Sequence, residues 1–304
     1  MQKGRVINLC GGVYKVLLED NTIVSVKARG KLRSNKVYQV NEKSLSKKKV
    51  LTEVKASPKV GDIAYVENGM IDHVDERKNE MIRPDVANVD QILLVFAACE
   101  PEFSFYLLDL FIVNILKQNI KPLIVVSKID KMSEEKMLEL KNGLKYYENM
   151  GYKVLYVNSK SREGVDLVLE ELKGKITILS GQTGAGKSTL INALIPGFNL
   201  QTQEISEALG RGKHTTRETN LYEINGGFIG DTPGFSKLDV LGVTESELQD
   251  LFIDFKNHKC RFKDCKHTIG SKDCGIIEAS MNGEILKSRH ENYLKMYNLI
   301  KEKK

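Results

Sequence analysis

Residues 181–188 of this 304-residue chain read Gly181-Gln182-Thr183-Gly184-Ala185-Gly186-Lys187-Ser188. An apolar run over residues 176–179 precedes them and predicts a strand, while the pattern over residues 189–194 predicts a helix. Glycines at this spacing let backbone N–H groups turn inward around phosphate oxygens, and the lysine neutralises the phosphate charge. The stretch is therefore predicted to be a P-loop, in which these residues and Thr189 bind a nucleoside triphosphate and Ser188 holds its Mg²⁺.

A second polar loop, Ser127-Lys128-Ile129-Asp130, follows a predicted strand over residues 122–127. It resembles the guanine-recognition tetrad of GTPases, usually Asn/Thr-Lys-x-Asp, with Ser127 in place of the usual first residue. The Asp130 carboxylate would accept two hydrogen bonds, from guanine N1–H and N2–H₂, and adenine offers no such pair of donors. Lys128 would lie along the purine plane.

A third loop, Asn158-Ser159-Lys160, follows a predicted strand over residues 153–157. It resembles the companion motif, whose backbone amide contacts guanine O6. Strands alternate with helical patterns through this part of the chain, which predicts a mostly parallel sheet covered by helices on both faces. Together the three loops indicate a guanine nucleotide more specifically than any one of them alone.

A switch segment is predicted where Asp231-Thr232-Pro233-Gly234 closes a strand over residues 227–230. The segment resembles the Asp-x-x-Gly motif of GTPases. In that motif the aspartate holds Mg²⁺ through water, and the amide of the glycine senses the γ-phosphate. We therefore expect Asp231 and Gly234 to contact the metal and the phosphate.

A second switch is expected in His214-Thr215-Thr216-Arg217, between the P-loop and Asp-x-x-Gly. One threonine should bind Mg²⁺, and Thr216 is favoured because a threonine directly before arginine is the usual pattern in related GTPases; Thr215 is the alternative. Phe235 stands where Ras-like proteins carry the glutamine that orients water. His214 is then the nearest candidate for that role, and a loop histidine bonded to backbone or solvent is the alternative. We expect slow intrinsic turnover that a partner completes.

The order of the motifs indicates a circular permutation. In an ordinary GTPase the guanine-recognition loops follow the Asp-x-x-Gly switch and need roughly 100 further residues. Here only 70 residues follow Gly234, and both guanine loops precede the P-loop. The sheet can still close if the ordinary termini are joined between residues 165 and 175 and the chain is cut after the switch. The predicted fold is a circularly permuted α/β P-loop GTPase.

Charge is unevenly distributed along the chain. Residues 1–60 carry a net charge of +10, residues 61–255 of −10 and residues 256–304 of +6, which suggests two polyanion-binding surfaces around a central module. Solvated lysines that only aid solubility are the alternative. The composition, 41% hydrophobic and 28% charged, is that of a soluble globular protein, and no apolar run approaches the roughly 18 residues of a membrane span.

The basic first sixty residues predict a small β-barrel. Five short strand-like segments lie at residues 5–7, 13–17, 22–26, 37–40 and 63–66. The OB-fold is the common nucleic-acid-binding barrel of this size, and an SH3-like barrel is the alternative. Lys27, Arg29, Lys31 and Arg33 recur at every second position, which would place them in one row on a strand. Such a row could track a phosphate backbone, and a solvated strand edge is the alternative.

A cluster of potential metal ligands lies near the C-terminus. It consists of Cys260, Cys265, His267 and Cys274. Three thiolates and an imidazole within fifteen residues can supply the four ligands of a closed tetrahedral Zn²⁺ site, with His258 as a substitute ligand. The remaining Cys10 and Cys99 are expected to pack as small apolar side chains.

At this point the chain resembles the ribosome small subunit-dependent GTPases of the RsgA type. The resemblance rests on the P-loop, Asp231-Thr232-Pro233-Gly234, the Cys/His cluster, Glu76-Arg77-Lys78-Asn79, Arg83-Pro84 and Val86-Ala87-Asn88-Val89-Asp90-Gln91. It implies an OB-fold, a permuted GTPase domain and a C-terminal zinc domain. It also implies binding to the 30S subunit late in maturation, contact with 16S rRNA, and GTP hydrolysis to GDP that the subunit stimulates.

We accordingly expect an OB-fold over residues 1–68, a GTPase domain over 69–238 and a helical zinc domain with a basic tail over 239–304. The protein is expected to be a cytoplasmic monomer without membrane contact. Because the cut places the switch beside the zinc domain, loss of the γ-phosphate could re-aim that domain relative to the barrel. The alternative function is an RNA-binding module whose guanine-nucleotide site is a sensor with little turnover.

Overall fold

The computed structural model describes residues 1–33, 35–40, 49–54, 57–81, 84–195, 219–231, 240 and 242–302. In chain order these residues form a β-barrel, an α/β sheet and a helical C-terminal unit. One backbone pairing continues the hydrogen bonding of the barrel into the α/β sheet, so both belong to an eleven-stranded sheet.

The N-terminal barrel is closed. Its strands are β1 (Gln2–Cys10), β2 (Val13–Leu18), β3 (Ile23–Ala28), β6 (Ile63–Glu67) and β7 (Met70–Val74). They pair in the order β1-β2-β3-β7-β6, and β6 pairs back with β1. The β3–β7 pair is parallel and the other pairs are antiparallel. Alternate side chains point inward, so Val6, Val16 and Ile71 are fully buried. A closed five-stranded barrel of this kind fits the expected OB-fold.

The fourth predicted barrel strand lies elsewhere. Strand β4 (Asn35–Val40) pairs with β5 (Lys49–Val54), in a two-stranded sheet that is separate from the barrel among the described residues. The prediction that residues 37–40 belong to the barrel is therefore wrong, because β7 takes the remaining place. The barrel extends to Val74, and an N-terminal unit ending at residue 68 would exclude a strand to which both β3 and β6 are hydrogen-bonded.

The predicted row of four basic side chains on one strand is also wrong. Strand β3 ends at Ala28, and residues Gly30–Arg33 form a 3₁₀ helix instead of continuing it. Lys27 remains exposed on the strand. Arg29, which is half-buried, forms ion pairs with Asp72 of β7 and Glu67 of β6. These carboxylates neutralise the guanidinium, so Arg29 is not a free cation facing solvent.

The α/β sheet is parallel apart from one strand. Its order is β10 (Lys153–Val157), β9 (Lys121–Ser127), β8 (Gln91–Ala97), β11 (Ile176–Gly181), β13 (Gly227–Asp231) and β12 (Asn220–Ile224). Only β12 runs antiparallel to its neighbour β13 within this part. The central strands are largely apolar and almost entirely buried, apart from Lys121 at the start of β9, as expected of a sheet with helices on both faces.

Helices cover both faces of this sheet. They are α1 (Phe105–Leu116), α2 (Glu134–Asn149), α3 (Val165–Leu172) and α4 (Lys187–Leu194). The first two pack into one apolar core and the last two into another. After α3, residues 173–175 lead directly into β11. The predicted joint between residues 165 and 175 thus connects α3 to the strand before the P-loop, as the permuted order requires.

The C-terminal unit packs against α1. It contains α5 (Glu245–Leu251), a 3₁₀ helix (Ile253–Asn257), α6 (Gly275–Met281) and α7 (Lys287–Glu302). Leu110 and Val113 of α1 belong to its apolar core. Lys117, at the end of α1, pairs with Glu247 of α5. That ammonium group, together with hydrogen bonds from Thr244, lowers the pKa of Glu247 to about 2. Among the described helices, none has both the length and the apolar character needed to cross a membrane.

Candidate nucleotide site and metal centre

The P-loop connects β11 to α4, and its glycines are required by geometry. Gly184 and Gly186 have φ values of 78° and 81°, the left-handed region in which glycine is favoured. Gly181 has a φ of 126°, and a Cβ atom there would lie 2.0 Å from the carbonyl oxygen of Val95. The loop can take this path only without side chains at these positions, so its backbone stays free to surround an anion at the start of α4.

Lys187 and Ser188 open helix α4. The ammonium group of Lys187 donates hydrogen bonds to the carbonyl oxygens of Gly181, at 3.1 Å, and Gln182, at 2.8 Å. It therefore lies back over the loop itself, where a phosphate group would meet it. Ser188 is half-buried in the first helical turn, where its hydroxyl is a suitable oxygen ligand for Mg²⁺.

The predicted guanine tetrad lies against the P-loop. The Ser127 hydroxyl is 2.5 Å from the carbonyl oxygen of Ala185 and 3.1 Å from that of Phe96. Lys128 has a φ of 57°, and its Cε lies 3.8 Å from the point where Gly186 would carry a Cβ. Serine at the first tetrad position thus connects the two loops directly. Asp130 is exposed beyond them.

The companion loop lies beside the tetrad because β10 and β9 are parallel neighbours. Val157 and Ser127, the last residues of these strands, are in register. The Asn158 side-chain oxygen accepts a hydrogen bond of 3.0 Å from the backbone N–H of Lys160, which closes a tight turn. Ser159 and Lys160 are therefore presented at the same sheet edge as Asp130.

The structure describes the predicted switch residues only in part. The backbone of Asp231 ends β13, paired in register with Leu179 of β11, so this residue lies two positions along the neighbouring strand from the P-loop. Its side chain lies outside the described part of the structure. The same holds for five predicted positions as a whole, namely His214, Thr215, Thr216, Gly234 and Phe235. The start of α4, where Ser188 lies, and the backbone of Asp231 are thus at the same edge of the sheet.

A further loop at this edge was missed by the sequence analysis. Residues 98–103 follow β8, and the carbonyl oxygen of Glu100 accepts a hydrogen bond of 2.5 Å from the Lys128 ammonium group. The Glu102 carbonyl oxygen accepts another, of 3.0 Å, from the Gln182 side chain. The contacts use backbone oxygens, so no residue type signalled them. The available signal was the position of this loop directly after β8, a buried strand that lies between β9 and β11 in the sheet.

The four predicted metal ligands come together. The ligand atoms of Cys260, Cys265, His267 and Cys274 all lie within 4.8 Å of one another. Cys260 Sγ is 3.4 Å from His267 Nδ1 and 3.7 Å from Cys274 Sγ, and the third edge, Cys274 Sγ to His267 Nδ1, is 3.5 Å. A tetrahedral zinc ion with ordinary bond lengths separates sulfur and nitrogen ligands by about 3.5–3.8 Å. The residues present therefore fit a four-coordinate metal such as zinc.

The surroundings of the cluster support metal binding. Burial lowers the pKa of His267, which keeps its imidazole neutral and able to coordinate a metal. His258, the substitute ligand, is instead directed at Glu284, with 3.7 Å between Nδ1 and the carboxylate. Cys99 is half-buried, as expected, but Cys10 is exposed, so its prediction as a packed apolar residue is wrong.

Comparison with known proteins identifies the family. The family model RsgA GTPase matches residues 74–241. The small ribosomal subunit biogenesis GTPase RsgA of Onion yellows phytoplasma (strain OY-M) is 41% identical over 309 residues, which cover 99% of this chain and 98% of that protein. Its counterpart in Staphylococcus epidermidis (strain ATCC 12228 / FDA PCI 1200) is 37% identical, covering 100% and 99%.

Solved structures agree with this result. YjeQ from Thermotoga maritima superposes with a TM-score of 0.79 at 32% identity, covering 98% of each chain. YloQ, a circularly permuted GTPase, superposes with a TM-score of 0.77 at 29% identity, covering 100% of this chain and 96% of that one. The predicted permuted order is thereby confirmed, and the chain belongs to the RsgA GTPase family.

Proposed function

We propose that the protein is a cytoplasmic assembly factor that binds the small ribosomal subunit and hydrolyses GTP there. The observation that carries this proposal is the convergence of four loops at the carboxyl edge of one parallel sheet. They are the loops after β8, β9, β10 and β11. Hydrogen bonds of Ser127, Lys128 and Gln182 join the loops after β8, β9 and β11, and the loop after β10 lies beside that after β9 because the two strands are parallel neighbours. Relatives over the full length are named small ribosomal subunit biogenesis GTPases.

The residues divide the work on GTP by chemistry. Asp130 accepts the two guanine donors, Lys128 lies along the purine, and the backbone of residues 158–160 contacts guanine O6. The amides of the P-loop and Lys187 hold the phosphates, where they neutralise charge that develops as the γ-phosphate leaves. Mg²⁺, when bound by Ser188, Thr216 and Asp231, supplies further neutralisation. Gly234 senses the γ-phosphate, and His214 orients the water.

The Cys/His cluster is proposed to hold one structural zinc ion. All four positions are taken by protein side chains, which leaves no open position for a substrate. The ion would fix the loop between the 3₁₀ helix and α6. The same loop exposes basic side chains, namely Arg261, Lys263, Lys266 and Lys272. We propose that this surface and the barrel contact 16S rRNA as parts of a monomer.

On the barrel, two lysines replace the predicted row as candidate rRNA contacts. Lys15 of β2 is in register with Ser25 of β3, and Lys27 lies two residues further on β3, so both lysines lie on one outer face. Both are exposed. Each phosphate contact that is lost should reduce the salt dependence of binding by roughly 0.7–0.9 log units per log unit of salt.

The test is multiple-turnover GTP hydrolysis with and without purified 30S subunits, using 50S subunits as the control. We expect slow hydrolysis alone, strong stimulation by 30S and little by 50S. The double variant Lys15→Glu/Lys27→Glu should keep the basal rate but lose 30S affinity and most of the stimulation. Lys136→Glu/Lys173→Glu, a matched change at exposed positions of the α/β unit, should keep both.

Absence of any 30S stimulation would contradict the assembly function. It would favour the alternative, an RNA-binding module whose guanine-nucleotide site is a sensor with little turnover. Family membership already favours the hydrolase over that alternative. Stimulation that the barrel variant leaves intact at both low and moderate salt would place the rRNA contact elsewhere, on the zinc loop or the β4–β5 hairpin.

A further inference from the structure

A buried ionic cluster joins the C-terminal unit to the α/β unit. Arg289 of α7 and Asp109 of α1 have no exposed side-chain surface, and Asp254 of the 3₁₀ helix is 6% exposed. The guanidinium group pairs with both carboxylates, one from each unit. Burial alone would lower the pKa of Arg289, but the charges of Asp109 and Asp254 outweigh it and raise that pKa well above its usual value.

Two tyrosines of α2 complete the cluster. The Tyr147 hydroxyl donates to Asp109 at 2.7 Å, and the Tyr146 hydroxyl donates to Asp254 at 2.9 Å. Asn292, one turn along α7 from Arg289, donates to the second oxygen of Asp109 at 2.8 Å. Every carboxylate oxygen therefore has a donor. A buried network that is fully satisfied in this way fixes the relative position of α1, α2 and α7.

Helix α7 also holds the Cys/His loop. His290 contacts the carbonyl oxygen of His267 at 2.8 Å, and the Tyr293 hydroxyl donates to the carbonyl oxygen of Lys266 at 2.9 Å. These residues neighbour Arg289 and Asn292 on the same helix. Helix α7 thus contacts the Cys/His loop through His290 and Tyr293, and α1 through Arg289 and Asn292.

From Tyr147 a row of aromatic rings leads toward the nucleotide site. Tyr147 stacks on Phe105 with ring centroids 5.8 Å apart and an interplanar angle of 22°. Phe105 contacts Phe103 at 5.0 Å, and Phe103 contacts Phe96 at 5.3 Å. Helix α2 packs closely on Phe105, since a Cβ atom on Gly143 would lie 2.6 Å from that ring.

The row ends at the loops that form the nucleotide site. The carbonyl oxygen of Phe96 lies 3.1 Å from the Ser127 hydroxyl, which also contacts Ala185 of the P-loop. Phe103 directly follows Glu102, whose carbonyl oxygen accepts a hydrogen bond from Gln182. A contiguous series of contacts therefore connects Arg289 to the tetrad and to the P-loop.

We propose that Arg289 is a positioning residue of the guanine-nucleotide site, which acts through Asp109, Tyr147 and the aromatic row. The inference rests on the guanine-nucleotide site proposed above. It makes the metal-binding unit part of the machinery that sets nucleotide affinity. Discrete side-chain contacts of this kind carry coupling of a size that changes an equilibrium about 2- to 30-fold.

The experiment measures the dissociation rate of fluorescent GDP and a non-hydrolysable GTP analogue from the full-length, metal-loaded protein without ribosomes. Tyr147→Phe removes one donor to Asp109 and keeps the ring, and Asn292→Leu removes another at similar volume. Each should release nucleotide about 2- to 30-fold faster. Arg289→Met should do so more strongly, and Arg289→Lys should restore part of the effect because it keeps the charge.

Tyr297→Phe is the matched control. It removes one hydroxyl from the same helix, but that hydroxyl bonds Glu245 within the C-terminal unit, at 3.0 Å. It should lower the unfolding temperature and leave nucleotide release unchanged. That split separates positioning from a loss of stability alone.

Two results would overturn the inference. One is release of nucleotide at the wild-type rate by both Tyr147→Phe and Asn292→Leu. The other is release from Tyr297→Phe that is accelerated as much as in those two variants. Failure of the proposed function is distinguishable, since the unaltered protein would then bind no guanine nucleotide at all, and both proposals would fall together. If Arg289→Met does not fold, the two milder variants still decide the question.

Discussion

At the scale of single residues, guanine selectivity is proposed to depend on the carboxylate of Asp130. The residue is exposed in the described chain, while its neighbours Ser127 and Lys128 are held by the P-loop and by Glu100. A rigid approach and a solvent-facing acceptor suit a group that must meet the base edge from outside. The carboxylate loses its water only when the base arrives, so an unmatched base leaves it unpaired.

Asp130→Asn is therefore expected to weaken GTP binding by at least about tenfold, because hydrogen bonds to a charged group are worth more than neutral ones. The amide accepts only one of the two guanine donors and presents a donor of its own to the other. Xanthine carries an oxygen in place of the 2-amino group, so XTP binding should improve in the variant. Titration with GTP, XTP and ATP measures both effects.

Asp166→Asn provides the control for this substitution. Asp166 is an exposed carboxylate on α3, paired with Arg162 at 3.6 Å. Its loss should leave all three affinities unchanged. Equal GTP affinity in Asp130→Asn and in the unaltered protein would show that another group reads the base.

Short residue patterns predicted which side chains the fold brings together. The P-loop, the tetrad and the Cys/His cluster each depend on a few neighbouring side chains, and the structure places each set together. Arg29 shows the limit. Its spacing from Lys27 matched a strand, but two carboxylates on β6 and β7 capture it, and these partners are about forty residues distant along the chain. Pairing over such a distance leaves no local signal.

At the scale of elements, the position of residues 158–160, the loop proposed to contact guanine O6, depends on the turn that precedes α3. Gly164 caps this helix with a φ of 73°, and a Cβ there would lie 2.1 Å from the carbonyl oxygen of Tyr156. Gly174, just after the same helix, has a φ of 66° but nothing within 4 Å of its Cβ position. Both glycines have a positive φ, and they differ in the space around a Cβ atom.

Gly174→Ala should lower the free energy of unfolding by about 1–2 kcal/mol, the cost of a left-handed backbone at a residue with a side chain. Gly164→Ala should cost clearly more, since the backbone must also move. It should weaken GTP binding as well, because the moved turn carries residues 158–160. Urea denaturation and nucleotide titration of the two variants test this. Equal losses in both would mean that the close contact is relieved without cost.

The second element is the Cys/His loop, whose conformation is expected to depend on one bound zinc ion. Purified protein should contain about one zinc ion per chain, and Cys265→Ser should lose it and loosen residues 256–302, because a structural metal contributes its binding energy to folding. Cys10→Ser, which alters an exposed thiol in the barrel, should keep full zinc. Atomic emission and hydrogen exchange provide the readouts. Full zinc content in Cys265→Ser would contradict the ligand assignment.

The barrel shows why element assignment from sequence failed in part. Residues 37–40 alternate like a barrel strand, yet β4 pairs with β5. Strand β7 reads Met70-Ile71-Asp72-His73-Val74, whose polar middle conceals it. Asp72 is neutralised by Arg29, and His73 stacks on Tyr65 with ring centroids 4.2 Å apart. Both polar groups are accommodated by tertiary contacts that a local pattern does not contain.

At the scale of the whole molecule, the barrel, the α/β sheet and the C-terminal unit are joined by polar contacts, some of which are buried. The segment between β7 and β8 carries much of the family resemblance, and its role in this structure is to connect barrel and sheet. Asn79 exchanges two hydrogen bonds with the backbone of Val89, of 2.6 and 2.8 Å. Asp90 accepts a hydrogen bond of 2.8 Å from the backbone of Ile176, at the start of the P-loop strand.

The C-terminal unit is fixed just as firmly on the other side. The Arg289 cluster ties it to α1, so re-aiming it relative to the barrel on GTP hydrolysis would require a fully buried ion pair to separate. Separating such a pair is costly, because each charge is left without its partner inside the protein. We propose instead that the C-terminal unit influences the nucleotide site through α1 and α2, without a free hinge.

The joint between barrel and sheet gives the last prediction. Arg77 donates two hydrogen bonds of 2.8 Å to the two oxygens of Asp62, whose side chain is completely buried, and another of 2.8 Å to the carbonyl oxygen of Ser57. Arg77→Met leaves that carboxylate buried without its charge partner and should cost about 3 kcal/mol of unfolding free energy. Lys78→Met removes an exposed pair with Asp90 and should cost less than about 1 kcal/mol. Urea denaturation of both variants measures the difference. Since Arg77 fixes the segment between β7 and β8 to the barrel, its loss should weaken 30S binding more than nucleotide binding. Equal stability of the two variants would show that solvent replaces the guanidinium at Asp62.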